Sequence, residues 1–228
     1  MGKNDNGNNG RTELVFVVDR SGSMGGLESD TIGGFNSMLS KQRTIAGECR
    51  VTILLFDHRI ETLHNHLDIR EVNDLTSRDY WVRGSTALLD AIGLAIDRMI
   101  VTQRHTAAAY RAQHVLFVII TDGYENASRR YSLHQIKQMI TYERERYHWE
   151  FVFLGANIDA EQTAGDFGIS PRCATDFHAD GQGIKASFEA VACAATAVRG
   201  GADLDDLSAP DFLGGVRDDY RSRRRMKR

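Results

Sequence analysis

The sequence predicts an α/β fold: a doubly wound, mainly parallel central sheet of about six strands, with one antiparallel edge strand and helices on both faces, as in Rossmann-like domains. Two runs of consecutive apolar residues, at 14–18 and 115–120, are typical of central strands that helices cover on both sides. Such runs alternate along the chain with segments whose apolar residues recur at helical spacing, which is the pattern of a parallel sheet. The two apolar runs should therefore be neighbours at the centre of the sheet.

Each element is predicted from its own pattern of residues. The strands are apolar or alternating segments, at 14–18, 50–56, 59–66, 115–120, 151–154 and 173–177. The segment 59–66 alternates and follows a short turn, so it forms a hairpin with the strand before it, near the edge of the sheet. The helices are segments with apolar residues at helical spacing, at 29–46, 86–100, 133–140, 159–167 and 184–198. Thr86 begins the second helix, and Gly200-Gly201 ends the last.

Length and composition indicate one globular domain with a sizeable core. The chain has 228 residues, a formal net charge of -3, 42% hydrophobic residues and 26% charged residues, which are ordinary values for a globular domain. No apolar run approaches the ~20 residues of a membrane-spanning helix, so we expect no contact with a membrane. Cys49, Cys173 and Cys193 lie far apart and form no Cys-x-x-Cys pair, which indicates reduced thiols and a cytoplasmic location.

The two ends of the chain differ from the rest in composition. Residues 1–11 are polar and lack the apolar stretch of a secretory signal peptide, so we expect a disordered leader. Residues 201–228 are expected to form a basic C-terminal tail, because 216–228 hold seven arginines and lysines against two aspartates. Such a tail can bind nucleic acid or an acidic partner, or it can simply be solvated and disordered. The folded domain would then span residues 12–200.

A cluster of oxygen-bearing side chains directly follows the first apolar strand. Asp19, Ser21 and Ser23 stand at alternate positions, with no sulfur or imidazole among them. In an open α/β sheet, ligands bind at the carboxyl ends of the strands. Oxygen-only ligand sets suit hard cations such as Mg²⁺ or Mn²⁺. The alternative is that these residues merely cap the helix that follows.

The segment from Asp19 to Ser23 resembles the Asp-x-Ser-x-Ser signature of the von Willebrand factor A domain family. Thr86, in Gly-Ser-Thr-Ala-Leu, looks like the ligand of the family's second metal loop, and Asp122, in Thr-Asp-Gly, like that of the third. The three segments come in the family's order, and the resemblance covers roughly residues 12–200. It implies a single-domain protein of the bacterial type, with an intact metal-ion-dependent adhesion site that holds Mg²⁺ (or Mn²⁺). The implied ligands, direct or through water, are Asp19, Ser21, Ser23, Thr86 and Asp122.

The resemblance also implies a function in protein binding. Domains of this family use the cation to hold an acidic residue of a partner, so we expect a protein ligand with an exposed Asp or Glu. The partner-binding rim would consist of residues on neighbouring loops: Met24, Leu27, Tyr124 and Glu125. We expect no enzymatic activity, because the sequence contains no Gly-x-Ser-x-Gly elbow, no Gly-Lys-Ser/Thr phosphate loop and no His-Glu-x-x-His zinc motif.

Two other functions are compatible with parts of the sequence. A Mg²⁺-dependent phosphohydrolase of the haloacid dehalogenase type also has an acid after its first strand. It needs Asp-x-Asp, however, with one carboxylate as nucleophile and one as acid and base, and here Ser21 stands at the second position. A nucleic-acid-associated role, as in ring-shaped RNA-binding proteins that carry such a domain, is supported by the basic tail alone.

Overall fold

A six-stranded sheet forms the centre of the computed structural model, which describes residues 10–208 and 210–226. The strands are β1 (Thr12–Asp19), β2 (Cys49–Phe56), β3 (Ile60–Asp68), β4 (His114–Thr121), β5 (Glu150–Gly155) and β6 (Ala174–Asp176). The helices are α1 (Glu28–Arg43), α2 (Leu88–His105), α3 (Leu133–Tyr147), α4 (Ala160–Phe167), α5 (Gly181–Arg199) and α6 (Gly214–Met226). The predicted leader lies outside the described residues, except for Gly10 and Arg11.

The strand order is β3-β2-β1-β4-β5-β6. All neighbouring strands are parallel except β2 and β3, which form the antiparallel pair at one edge. This confirms the predicted fold class, and β1 and β4 are indeed central neighbours. The chain reverses its direction of winding between these two strands, so their carboxyl ends form the crevice in which such sheets bind ligands.

Aromatic side chains fill the core on both faces of the sheet. On one face, α1 packs against α5, and the ring of Phe35 lies edge-on to Phe16, 5.1 Å between centroids, and to Phe188, 6.1 Å. On the other face, where α2 and α3 pack together, Phe117 stacks on Trp149 at 5.6 Å. Every residue of β1 is buried, as the unbroken apolar run predicts.

The segment after Gly201 differs from the expected basic tail. Leu213 and Val216 are fully buried, and α6 packs against α5 and β6. Arg217 donates hydrogen bonds to the carbonyl oxygens of Pro171 (2.9 Å) and Ala174 (3.1 Å). As far as Met226, the segment is therefore part of the folded unit, because its few apolar residues face the core and an arginine anchors them. The boundary expected at residue 200 does not match this packing.

No helix in the described part of the chain is long and apolar enough to cross a membrane.

Candidate metal centre

The predicted ligands come from three loops at the carboxyl edge of the sheet. Asp19 ends β1, and Asp122 directly follows β4. Val18 and Ile120 pair across the two strands, so both acids emerge at the same edge. Thr86 lies two residues before α2, which begins at Leu88 and not at Thr86 as expected.

Hydrogen bonds join four of the five predicted ligands. The hydroxyl of Ser23 donates to Asp122 Oδ1 at 2.5 Å and lies 2.9 Å from the hydroxyl of Ser21. The backbone N–H of Ser21 donates to Asp19 Oδ1 at 2.6 Å. Thr86 borders the same point: a Cβ placed on Gly123 would lie 3.5 Å from Ser23 Oγ and 3.8 Å from Thr86 Oγ1. The structure thus brings all five residues together.

The charge of this cluster fits a bound cation. Asp19 and Asp122 are both buried, and burial raises the pKa of Asp19 to about 6 and raises that of Asp122. Asp122 Oδ2 is buried and accepts no hydrogen bond from any residue that the structure describes. A buried carboxylate oxygen without a donor is costly, and a divalent ion would satisfy it. The donors are oxygens alone, which suits a hard cation.

Two residues that were not predicted as ligands hold the first loop. The Tyr80 hydroxyl donates to the carbonyl oxygen of Asp19 at 2.6 Å, and the Thr121 hydroxyl donates to Asp19 Oδ2 at 2.6 Å. Thr121 ends an apolar strand beside Asp122, so its position was a usable signal. Nothing in the sequence pattern marks Tyr80, because it comes from an irregular segment.

A buried ionic cluster links the first and second loops. Asp57 Oδ2 accepts from Arg20 Nε at 3.1 Å and from Arg83 Nε at 2.7 Å. Burial favours the neutral acid, but bonds from Arg83 and from the Arg59 N–H, together with the charge of Arg20, hold the pKa of Asp57 below its ordinary value. The guanidinium of Arg83 lies over the ring of Trp81, with 4.3 Å between Arg83 Cζ and the ring centroid. Asp57 follows β2 at the same sheet edge, which could have flagged it.

The third loop positions Thr86. Asn126 Oδ1 accepts from the Thr86 N–H at 2.9 Å, while the Thr86 carbonyl accepts from the N–H of Asn126 at 3.0 Å. Glu125 accepts from the N–H groups of Ala127 at 2.8 Å and Leu89 at 2.9 Å. Its carboxylate therefore organises this loop and the start of α2, and it is not a free group on the rim.

Of the four residues expected on the partner-binding rim, Tyr124 alone is strongly exposed, at 59%. Its hydroxyl accepts from the N–H of Asp159 at 3.2 Å, which connects it to the start of α4. Met24 and Leu27 are buried, at 0% and 6% exposed. They belong to the core because the short helical turn Gly22–Met24 directs the chain back toward α1, so the expectation that they contact a partner does not fit the structure.

The fold and site together define a doubly wound α/β domain with an oxygen-rich centre at its switch point. The family model of the von Willebrand factor type A domain matches residues 13–181, and the chain belongs to this family. Its members are commonly metal-dependent adhesion or protein-binding modules. No curated protein matches the chain.

Several solved structures share the fold. The manganese-loaded TRAP protein of Plasmodium vivax is 17% identical, with a TM-score of 0.57 over 78% of this chain and 72% of that one. Proximal thread matrix protein 1 from the mussel byssus, with a zinc-occupied MIDAS motif, is 15% identical, with a TM-score of 0.58 over 82% and 46%. A von Willebrand factor type A protein from Catenulispora acidiphila is 10% identical, with a TM-score of 0.53 over 80% and 42%. The chain thus spans less than half of the last two proteins.

Proposed function

We propose that this domain binds a partner protein through a divalent cation, Mg²⁺ or Mn²⁺, at an intact metal-ion-dependent adhesion site of the single-domain type. The observation that carries the proposal is the buried Oδ2 of Asp122, which has no hydrogen-bond partner among the described residues and lies within a cluster of oxygen donors. The ligands would be the two acids and three hydroxyls that meet there, directly or through water: Asp19, Ser21, Ser23, Thr86 and Asp122. Metal-loaded neighbours with the same fold, holding manganese and zinc, support a divalent ion.

The donor set explains why a partner's carboxylate would be the ligand. The site has two carboxylates, and the remaining donors are neutral hydroxyls. A hard ion in such a set keeps coordination positions for water or an incoming oxygen. An Asp or Glu of a partner displaces one water and adds a charge-assisted contact, which is stronger than a neutral one. Tyr124, exposed beside the site, would contact the surface around that acid.

The expected cytoplasmic location remains part of the proposal. Cys49 and Cys173 are buried and unpaired, and Cys193 is exposed and unpaired. Free thiols of this kind are typical of proteins in a reducing compartment.

Calorimetry with Mn²⁺ and Mg²⁺ tests the metal site. Ser23→Ala removes one hydroxyl from an exposed position and should weaken binding by about tenfold or more, roughly 1.4 kcal/mol. Ser40→Ala, at an exposed position of α1, is the matched control and should bind as the wild type does. Equal affinity of all three proteins would refute the site.

A pull-down in Mg²⁺, repeated with a chelator, tests the partner. The captured protein should be lost on chelation and with Asp122→Ala, and one of its acidic residues should be essential when each is changed to alanine. Capture that survives both the chelator and Asp122→Ala, with no essential acid, would show that the interaction does not run through the metal.

A further inference from the structure

A small cavity lies at the opposite edge of the sheet from the metal centre. It has a volume of about 180 Å³ and is formed where the last turns of α2 and α3 meet the start of β5. Ile100 and the 6% exposed Trp149 provide apolar walls. Trp149 is fixed, because its N–H donates to the carbonyl of Glu143 at 3.3 Å and its ring stacks on Phe117.

Glu143 presents to this cavity a carboxylate that receives no hydrogen bond from the described residues. The residue is 3% exposed and lines the cavity. No residue of 10–208 or 210–226 hydrogen-bonds to its side chain or lies within ion-pair distance of it. Burial raises its pKa, and the charge of Arg104 partly opposes that effect. The carboxylate oxygens are accessible from the cavity rather than enclosed, so a ligand that donates a hydrogen bond can reach them.

The mouth of the cavity carries positive charge. Arg104, in the last turn of α2, and Arg111 line it together with the half-exposed Tyr147. Arg111 uses its Nε on the Thr106 carbonyl at 2.9 Å, which leaves its terminal nitrogens for another acceptor. An organic cation alone would satisfy Glu143 but would be repelled by both arginines.

We propose that this cavity binds a small zwitterion of the α-amino acid type with an apolar side chain. The ammonium group donates to Glu143, the carboxylate faces Arg104 and Arg111, and the side chain packs against Ile100 and Trp149. Sites for drug-sized molecules start at about 300 Å³. The cavity, at about 180 Å³, is smaller than that and has the size for a single amino acid. Bidentate contact with carboxylates is also characteristic of arginine. This inference is independent of the metal centre.

Thermal denaturation and calorimetry with L-valine, L-leucine, L-isoleucine, L-methionine and L-phenylalanine test the proposal. At least one of them should raise the Tm by about 3 °C at a concentration near ten times its Kd. For leucine, the matched probes are isoamylamine, which lacks the carboxylate, and 4-methylpentanoic acid, which lacks the amine. Each matched probe should bind at least about tenfold more weakly, a loss of one ion pair.

Three variants assign the effect to the cavity. Glu143→Gln and the surface variant Arg104→Gln should each weaken amino acid binding at least about tenfold. Glu145→Gln, at an exposed position of the same helix, should leave it unchanged. The proposal is overturned if no amino acid shifts the Tm, if the amine alone binds as well as the amino acid, or if binding survives both Glu143→Gln and Arg104→Gln.

Discussion

Thr86 belongs to no helix or strand, so the neighbouring loop must fix its position in the proposed metal centre. Asn126 does this from both sides, through its side-chain oxygen and its own N–H. Groups that orient metal ligands without touching the metal affect affinity almost as much as some ligands do. Asn126 is therefore a positioning residue of the proposed site.

Asn126→Ala should weaken Mn²⁺ binding by about tenfold, because Thr86 loses its side-chain anchor. The cost in folding stability should be about 1 kcal/mol, the loss of one hydrogen bond. Calorimetry measures the first effect and urea denaturation the second. Asn73→Ala, at an exposed position, is the control. If Mn²⁺ binds Asn126→Ala as tightly as the wild type, the positioning role is wrong.

Sequence patterns mark the candidate ligands more readily than the residues around them. Asp19 and Asp122 could be located because one ends an apolar strand and the other directly follows one, and strand ends meet at one edge of a parallel sheet. Met24 was predicted to face a partner but is buried. The three-residue turn Gly22–Met24 sets the direction of its side chain, and a turn this short leaves no periodic pattern in the sequence. Glu125 was misjudged for a related reason: its carboxylate binds backbone N–H groups that exist only in the folded loop.

Helix α6 is the element that the sequence predicted least well. Its composition is strongly basic, which is typical of a solvated tail. Two contacts nevertheless hold this helix against the domain. Leu213 and Val216 are buried, and Arg217 donates a hydrogen bond to the carbonyl of Ala174 at the start of β6. By contrast, β1 and β4 were predicted correctly, because each contains an unbroken apolar run, at 14–18 and 115–120.

Leu213→Ala should destabilise the protein by about 2–5 kcal/mol, because it leaves a cavity beneath α6. The drop in Tm should be several degrees, at about 2–4 °C per kcal/mol for a chain of this size. Leu207→Ala is the matched control, since Leu207 is 83% exposed, and it should change the Tm by less than about 2 °C. Equal Tm values for the two variants would mean that α6 is not packed as described.

Acids whose pKa values are raised lie at both edges of the sheet. At the edge opposite the metal centre, Glu150 begins β5 beside Asp203 and Asp205. Burial, and then the charge of Asp203, raise its pKa to about 7. Since the folded protein binds this proton more tightly than the unfolded chain, stability contributed by Glu150 is full below about pH 4.5 and is lost as the pH rises toward 7.

Glu150→Gln should therefore be more stable than the wild type at pH 8, by about 2 kcal/mol after allowance for solvent screening. The two proteins should be equally stable near pH 4. Urea denaturation at a series of pH values measures the difference. Glu189→Gln, at an exposed position of α5, should follow the wild-type curve. A constant difference between Glu150→Gln and wild type at all pH values would contradict the raised pKa.

The position of Asp57 between two loops limits how the sequences of those loops can change in evolution. Asp57 accepts hydrogen bonds from Arg20, in the first loop of the proposed metal centre, and from Arg83, beside the second. The same loops are joined again where the Gly22 N–H donates to the Gly84 carbonyl at 3.0 Å. A change in one of these loops leaves charged groups in the other without their partner. Arg20, Asp57 and Arg83 should therefore be kept or replaced together among homologues of this protein.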